Sequence, residues 1–245
     1  MTATDVPQIG IIGLGQFGLF AAAHLSDYLE VVAYDPVPPA EPIEQVHLST
    51  LAETAACDFV LICVPMMALQ DTLTDIGPYL QTGACVIDVC SVKSAPMQWL
   101  QAELPPGVDY LGTHPLFGPN SAGNDLEGHQ VVLCPGRGEH VECVAKFLRM
   151  LGLYVIVTDA ETHDRDSARA QVLAQYVGRA LMPIEAPDSG ITTYAAELLR
   201  EAEEIVADDS WELFAAIQTL NPYAAEARAE LRASLDELES QLEST

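Results

Sequence analysis

The chain has 245 residues, 49% of them hydrophobic, and a formal net charge of −26 at pH 7. That length allows one large or two ordinary domains with a full core. The acidity excludes a nucleic-acid face, which needs clustered Lys and Arg, and no apolar run reaches membrane-spanning length.

Residues 1–8 carry neither a basic region nor a signal-peptide core, so a cytoplasmic location is expected. A charge this large opposes compaction unless salt screens it. A salt-adapted cytoplasm and a merely very soluble protein are both compatible with it. The six cysteines (57, 63, 85, 90, 134 and 143) form no CxxC pair. They read as reduced, small apolar fillers. No histidine has metal-ligand spacing to a Cys or acid, so no metal is expected.

In chain order, the apolar run Ile9–Ile12 reads as a buried strand. It breaks into Gly13-Leu14-Gly15-Gln16-Phe17-Gly18, a G-x-G-x-x-G that opens an Ala-rich helix. Gly13 permits the tight strand exit, Gly15 a close approach by a pyrophosphate, and Gly18 close packing of helix on sheet. The helix N-terminus favours phosphate charge. Residues 30–34 read as a second strand ended by Asp35, 22 residues after Gly13. An acid there accepts hydrogen bonds from ribose hydroxyls and repels a 2′-phosphate, which predicts NAD rather than NADP. Pro36, Pro38, Pro39 and Pro42 then make a stiff irregular loop. Ser49 or Thr50 caps a short helix to Ala56.

Further strands are expected at 58–64, stopped by Pro65, and at 84–90, 108–112, 130–134 and 154–158. Helices separate them, except that Thr113 to Pro119 reads as a loop. Strands alternating with helices predict an α/β fold, a Rossmann-type, mostly parallel, doubly wound sheet. From residue 159 no strand is expected. Helical periodicity covers 161–182, about 191–207, 209–220 and 223–243. Pro183, Pro187 and Gly190 break the first two apart, and Asn221-Pro222 the last two. The expected domains are 1–159, binding NAD, and 160–245, helical. Leu231, Leu235, Leu238 and Leu242 form a stripe that packs on the chain's own helices or, as the favoured reading, in a subunit interface.

Ligands of an open parallel sheet bind outside the carboxyl ends of its strands. Gly13, Asp35, Pro65, Ser91 and His114 each follow an expected strand, with Val64 beside Pro65. His114 is the candidate base, because a neutral imidazole takes a hydroxyl proton as hydride leaves the same carbon. Ser91 hydrogen-bonds that imidazole or the substrate, or caps the next helix. Lys93, one of two lysines, attracts an anion or is a plain solvated lysine. His24, His47, His129, His140 and His163 read as structural or solvent-facing.

The segments IIGLGQFG, VIDVCSVK, GTHPLFGP, HDRDSARAQVLAQYVGRAL and DDSWELFAAIQTLNPYAAE occur in this order, and the chain resembles the prephenate and arogenate dehydrogenases. The resemblance covers nearly the whole chain. It implies an NAD(P) domain, an all-helical domain that makes a homodimer, and oxidative decarboxylation of a cyclohexadienyl substrate in tyrosine biosynthesis. His114 would be the catalytic histidine, Ser91 the serine that orients it, and Gln171 would face the substrate.

Two departures bear on the substrate. The family helix usually reads Q-x-x-T-H; here it is Gln171-Val-Leu-Ala174-Gln175, so Gln175 stands in the place of a histidine. The arginine often found near Trp211 is also missing, which leaves Arg165, Arg169, Arg179 and Arg200 as carboxylate partners. Prephenate carries two negative charges and arogenate a net one, so acidity argues weakly for arogenate. Two rivals share the glycine turn: another two-domain NAD(P) hydroxyacid dehydrogenase or imine reductase, and a nucleotide-sensing protein without turnover.

Overall fold

The computed structural model describes residues 7–41, 43–123, 125–184 and 190–244; Pro42 and Pro187 lie outside them. The chain divides into two compact units, Met1–Ala160 and Glu161–Thr245.

The first unit runs β1 (Gln8–Ile12), α1 (Gln16–Leu25), β2 (Glu30–Tyr34), β3 (Val46–Leu48), α2 (Leu51–Ala55) and β4 (Phe59–Ile62). It continues with α3 (Leu69–Ile76), β5 (Cys85–Asp88), α4 (Ser94–Glu103), β6 (Asp109–Pro115), α5 (Pro119–Ala122), β7 (Gln130–Pro135), α6 (Val141–Met150) and β8 (Tyr154–Val157). The strands form one sheet of order β3-β2-β1-β4-β5-β6-β7-β8. The inner strands are buried on both faces, as continuous Val/Ile/Leu runs require in a sheet covered by helices.

All strand pairs are parallel except β6 with β7. A parallel return needs a crossover of a dozen or more residues, usually a helix. The β6–β7 connection holds only the four-residue α5, and β7 comes back antiparallel.

Two strand expectations need correction. The proline loop after Asp35 contains β3, whose three residues pair with Val31–Ala33 of β2; three residues are too few for a period to register in sequence. The other is Thr113 to Pro115, which is not a loop. Antiparallel β7 supplies partners for these residues beyond the point where β5 ends, so β6 extends through them.

An apolar cavity of about 320 Å³ lies between α1, α6 and the sheet, lined by Phe20, Leu61, Ile87, Val131 and Phe147. Its walls offer almost no polar group, so it cannot hold a dinucleotide's phosphates.

The second unit is helical: α7 (Ala160–Ser167), α8 (Leu173–Leu181), α9 (Tyr194–Ala207), α10 (Trp211–Leu220) and α11 (Ala224–Glu243). Thr193 and Ser210 cap α9 and α10 by accepting from Ala196 N and Leu213 N. The expected single helix over 161–182 is interrupted by one π-helical turn, Ala168–Val172. On α11, Leu235, Leu238 and Leu242 are each more than half exposed. Leu231, the first of the stripe, is half-buried, so the other three leucines are the exposed part of it among the described residues.

Candidate active site

The glycine turn sits where β1 ends. Gly13 has φ +97°, and a Cβ there would lie 2.6 Å from the Cys63 carbonyl oxygen. A Cβ on Gly18 would meet the Gly13 carbonyl oxygen at 1.9 Å, whereas one on Gly15 would meet nothing within 4 Å. The first two glycines are thus required by the protein's own backbone, and Gly15 faces open space. Gly15 caps α1 without a side-chain bond, and no acid occupies the first turn. The N–H groups there, including those of Gln16 and Phe17, are available to an anion. The Phe17 ring itself turns inward, 5.9 Å from Phe20.

Asp35 closes the turn from the end of β2. Its Oδ2 accepts from Leu14 N at 2.6 Å and its Oδ1 from Val37 N at 2.8 Å. Gly13 N donates to Tyr34 O at 2.9 Å. The open glycine, the uncapped helix start and the fixed carboxylate fit the phosphates and ribose of a dinucleotide.

Sheet register brings the other candidates to the same edge. Ile12 pairs with Ile62, Ile62 with Asp88, and Asp88 with Gly112. Val64, Pro65, Ser91 and His114 each lie two or three residues past that row. Ser91 is half-buried. It is not the N-cap of α4, which is Lys93. His114 is 3% exposed and lies opposite Val132 of β7. It is held by a strand, not by the loop expected from sequence.

Lys93 is neither solvated nor open to an anion from solvent. It is fully buried, and its Nζ donates to Asp88 Oδ1 and to the carbonyl oxygen of Thr113. Thr113 Oγ1 donates to Asp88 O at 2.6 Å. The ammonium thus ties the end of β5 to the residue before His114. Sequence reasoning picked Lys93 for its rarity and missed Asp88, whose place at a strand end five residues earlier was the available signal.

In the helical unit, Gln171, Gln175 and Arg179 follow at intervals of four along one side of a helix. Gln175 Nε2 donates to Asp209 Oδ2 at 3.2 Å, and Arg179 donates to the Asp209 carbonyl. The Arg179 guanidinium lies over Phe214 at 4.9 Å and Trp211 at 5.8 Å. Burial raises the Asp209 carboxyl above the ordinary range, while Arg179 and the Gln175 amide pull it down.

Gln171 Oε1, Gln175 Oε1 and Arg179 Nε are buried without a hydrogen-bond partner among the described residues. A carboxylate only accepts, so the Gln175 amide must aim its nitrogen at Asp209, and its oxygen is left over. Each orphan of this kind costs about 1–3 kcal/mol. Three together leave polar groups that water or a polar ligand can satisfy.

Arg165 and Arg169 are engaged elsewhere, with Glu161 and Glu230. Arg200 is exposed on α9. Asp209 and the turned-in Arg179 were not singled out from sequence together, because DDS before a helix reads as ordinary capping. Of the other histidines, His24 packs tilted against Phe20 and His129 against Phe117, while His140 pairs with Asp109 and His163 with Asp164. No group of three or more metal-ligating side chains occurs among the described residues. No described helix is long and apolar enough to cross a membrane.

Residues 43–169 match the family described as prephenate dehydrogenase, nucleotide-binding domain. Arogenate dehydrogenase 2 of Arabidopsis thaliana is 28% identical over 96% of this chain and 70% of its own length. Arogenate dehydrogenase 1 of the same plant is 24% identical over 96% of this chain but only 39% of its own length. The fold matches that of the prephenate dehydrogenase of Aquifex aeolicus, solved with hydroxyphenyl propionate and NAD+, with a TM-score of 0.80 and 20% identity over 98% of this chain and 92% of that one. The family match covers more than half of the chain, and the protein belongs to the prephenate dehydrogenase family.

Proposed function

We propose that this protein oxidatively decarboxylates a cyclohexadienyl substrate with NAD, and that arogenate is preferred over prephenate. The observation that carries the reading is the position of His114, two residues past the row that also holds the end of the glycine turn's own strand. Bound NAD would accept the hydride from the carbinol carbon. His114 takes the hydroxyl proton of that carbon, and Ser91 orients the imidazole or the hydroxyl. The ring carboxylate leaves as carbon dioxide and the ring becomes aromatic. The protein's work is alignment of the carbinol and polarisation of its oxygen. Asp35, with no basic residue among Pro36, Val37, Pro38 and Pro39, favours NAD over NADP.

The arogenate preference rests on charge. The polar cluster of the helical unit offers one guanidinium, one carboxylate and two orphaned amide oxygens. An amino-acid side chain carries a carboxylate for Arg179 and an ammonium for Asp209, Gln175 and Gln171. A keto acid has no donor for those acceptors. Substrate-dependent NADH formation with each substrate, in wild type and His114→Asn, tests the reading. The wild type turns over arogenate faster, and His114→Asn binds NAD but loses about 10²-fold or more in turnover. Near-normal turnover by the variant removes His114 from the chemistry.

We further infer a homodimer joined through the exposed Leu235, Leu238 and Leu242 of α11. Charged replacements at Leu238 would then yield monomers by light scattering.

A further inference from the structure

We infer that Gln218 is a positioning residue for this reaction. With Arg228 it holds the π turn Ala168–Val172, which sets the direction, relative to α7, of the helix face that carries Gln171, Gln175 and Arg179. The inference rests on the reading of that face as the substrate's side-chain site.

In the π turn, Leu173 N–H donates to Ala168 O, five residues back instead of four. Such turns are rare and occur as single insertions in α-helices. One residue turns an α-helix by about 100°. The extra residue therefore rotates everything after it by that angle relative to α7. The α7 side is tied to the end of α10, where Asn221 donates from Nδ2 to Asp164 O at 2.8 Å. Which side chains of α8 face inward is thus decided at the π turn.

Gln218 reaches that turn from α10. It is 6% exposed, and its Nε2 donates to Val172 O at 2.9 Å. Arg228 of α11 donates to Gln218 Oε1 at 2.8 Å and to Gln218 O at 2.9 Å. A guanidinium has no acceptor, so it fixes the amide oxygen toward itself and the amide nitrogen toward Val172. The same guanidinium lies over the Tyr176 ring, 5.8 Å from its centre, one helical turn beyond Val172. The bonds Arg228–Gln218–Val172 tie three segments together. One of them, α10, also carries the Trp211 and Phe214 rings against Arg179.

The test uses the full-length protein in a Trp99→Phe background, which leaves Trp211 as the sole tryptophan. Gln218→Leu removes the donor at similar volume. Deletion of the exposed Arg169 restores four-residue spacing. For both, the arogenate KM rises about tenfold or more and Trp211 emission shifts as Arg179 leaves the ring, while NAD affinity is unchanged. Wild-type KM and wild-type emission in both variants overturn the inference. If the parent protein turns over neither arogenate nor prephenate, the functional reading fails, and Trp211 emission still reports whether Gln218 sets the register. Should Gln218→Leu not fold, the deletion carries both readouts alone.

Discussion

The side-chain amide of Gln175 donates to Oδ2 of Asp209 across 3.2 Å, joining α8 to the residue that precedes the Ser210 cap of α10. The contact places a half-buried carboxylate beside the only turned-in guanidinium of the cluster among the described residues. Removing the charge should act on both selectivity and stability. Asp209→Asn is expected to lower kcat/KM for arogenate about tenfold or more relative to prephenate. Steady-state kinetics on both substrates check this, and an unchanged ratio removes Asp209 from specificity.

The same substitution has a pH signature. Burial holds the Asp209 carboxyl above its ordinary value of 3.8. The folded state therefore binds that proton more readily than the unfolded state does. Its contribution to stability is present below pH 3.8 and is lost as pH rises through the raised value. Asp209→Asn should melt higher than wild type near neutral pH, with the difference shrinking as pH falls toward that value. Thermal unfolding across a pH series shows it; a variant that melts lower at neutral pH would mean the ionised carboxylate is stabilising.

Lys93, at the start of α4, and Asp88, at the end of β5, form a fully buried pair. Removing one partner leaves the other buried and uncompensated. Lys93→Met should lose about 3–5 kcal/mol of unfolding free energy in urea. The double variant Lys93→Met with Asp88→Asn should recover part of that loss. A double variant as unstable as the sum of the singles would mean the two groups act separately.

The sheet and the edge that carries the chemistry were legible because buried parallel strands are long apolar runs and the glycine turn has a fixed grammar. Glu30–Tyr34 was read to the residue. What stayed hidden depends on partners far away in sequence. His114 looked like a loop residue because only β7, returning antiparallel, extends β6 through it. Lys93 looked like a free cation because its counter-charge, Asp88, reads as the last residue of a strand. The π turn left no trace, since one extra residue in a helix barely disturbs a period read over 161–182.

The thiols should differ sharply in reactivity. Burial pushes the Cys57 thiol up to about 11 and the Cys63 and Cys85 thiols to about 12, and raises that of Cys90 well above its ordinary value. Cys134 is fully buried, and only Cys143 is exposed. The thiolate is the reactive form, so at pH 8 a thiol-specific disulfide reagent should titrate one cysteine rapidly in the native protein and all six after denaturation. Two or more fast thiols would mean that the strands bearing the others open readily.

The glycines of the turn should separate folding from binding. A Cβ on Gly18 collides with the protein's own backbone, so Gly18→Ala should lose about 1–3 kcal/mol of stability. A Cβ on Gly15 meets nothing, so Gly15→Ala should melt like the wild type yet bind NAD at least about tenfold more weakly. Calorimetric titration with NAD beside thermal unfolding distinguishes the two, and undiminished NAD binding by Gly15→Ala would move the pyrophosphate away from this turn.

NADH formation from NAD, with arogenate and prephenate offered side by side in low and high KCl, is the first assay to run. The expected result is turnover of both or of arogenate alone, with the higher kcat/KM for arogenate at either salt concentration. A higher kcat/KM for prephenate would contradict the charge reading of Arg179 and Asp209. Tight NAD binding with no turnover of either substrate would contradict the assignment of His114 as the base of a cyclohexadienyl dehydrogenase.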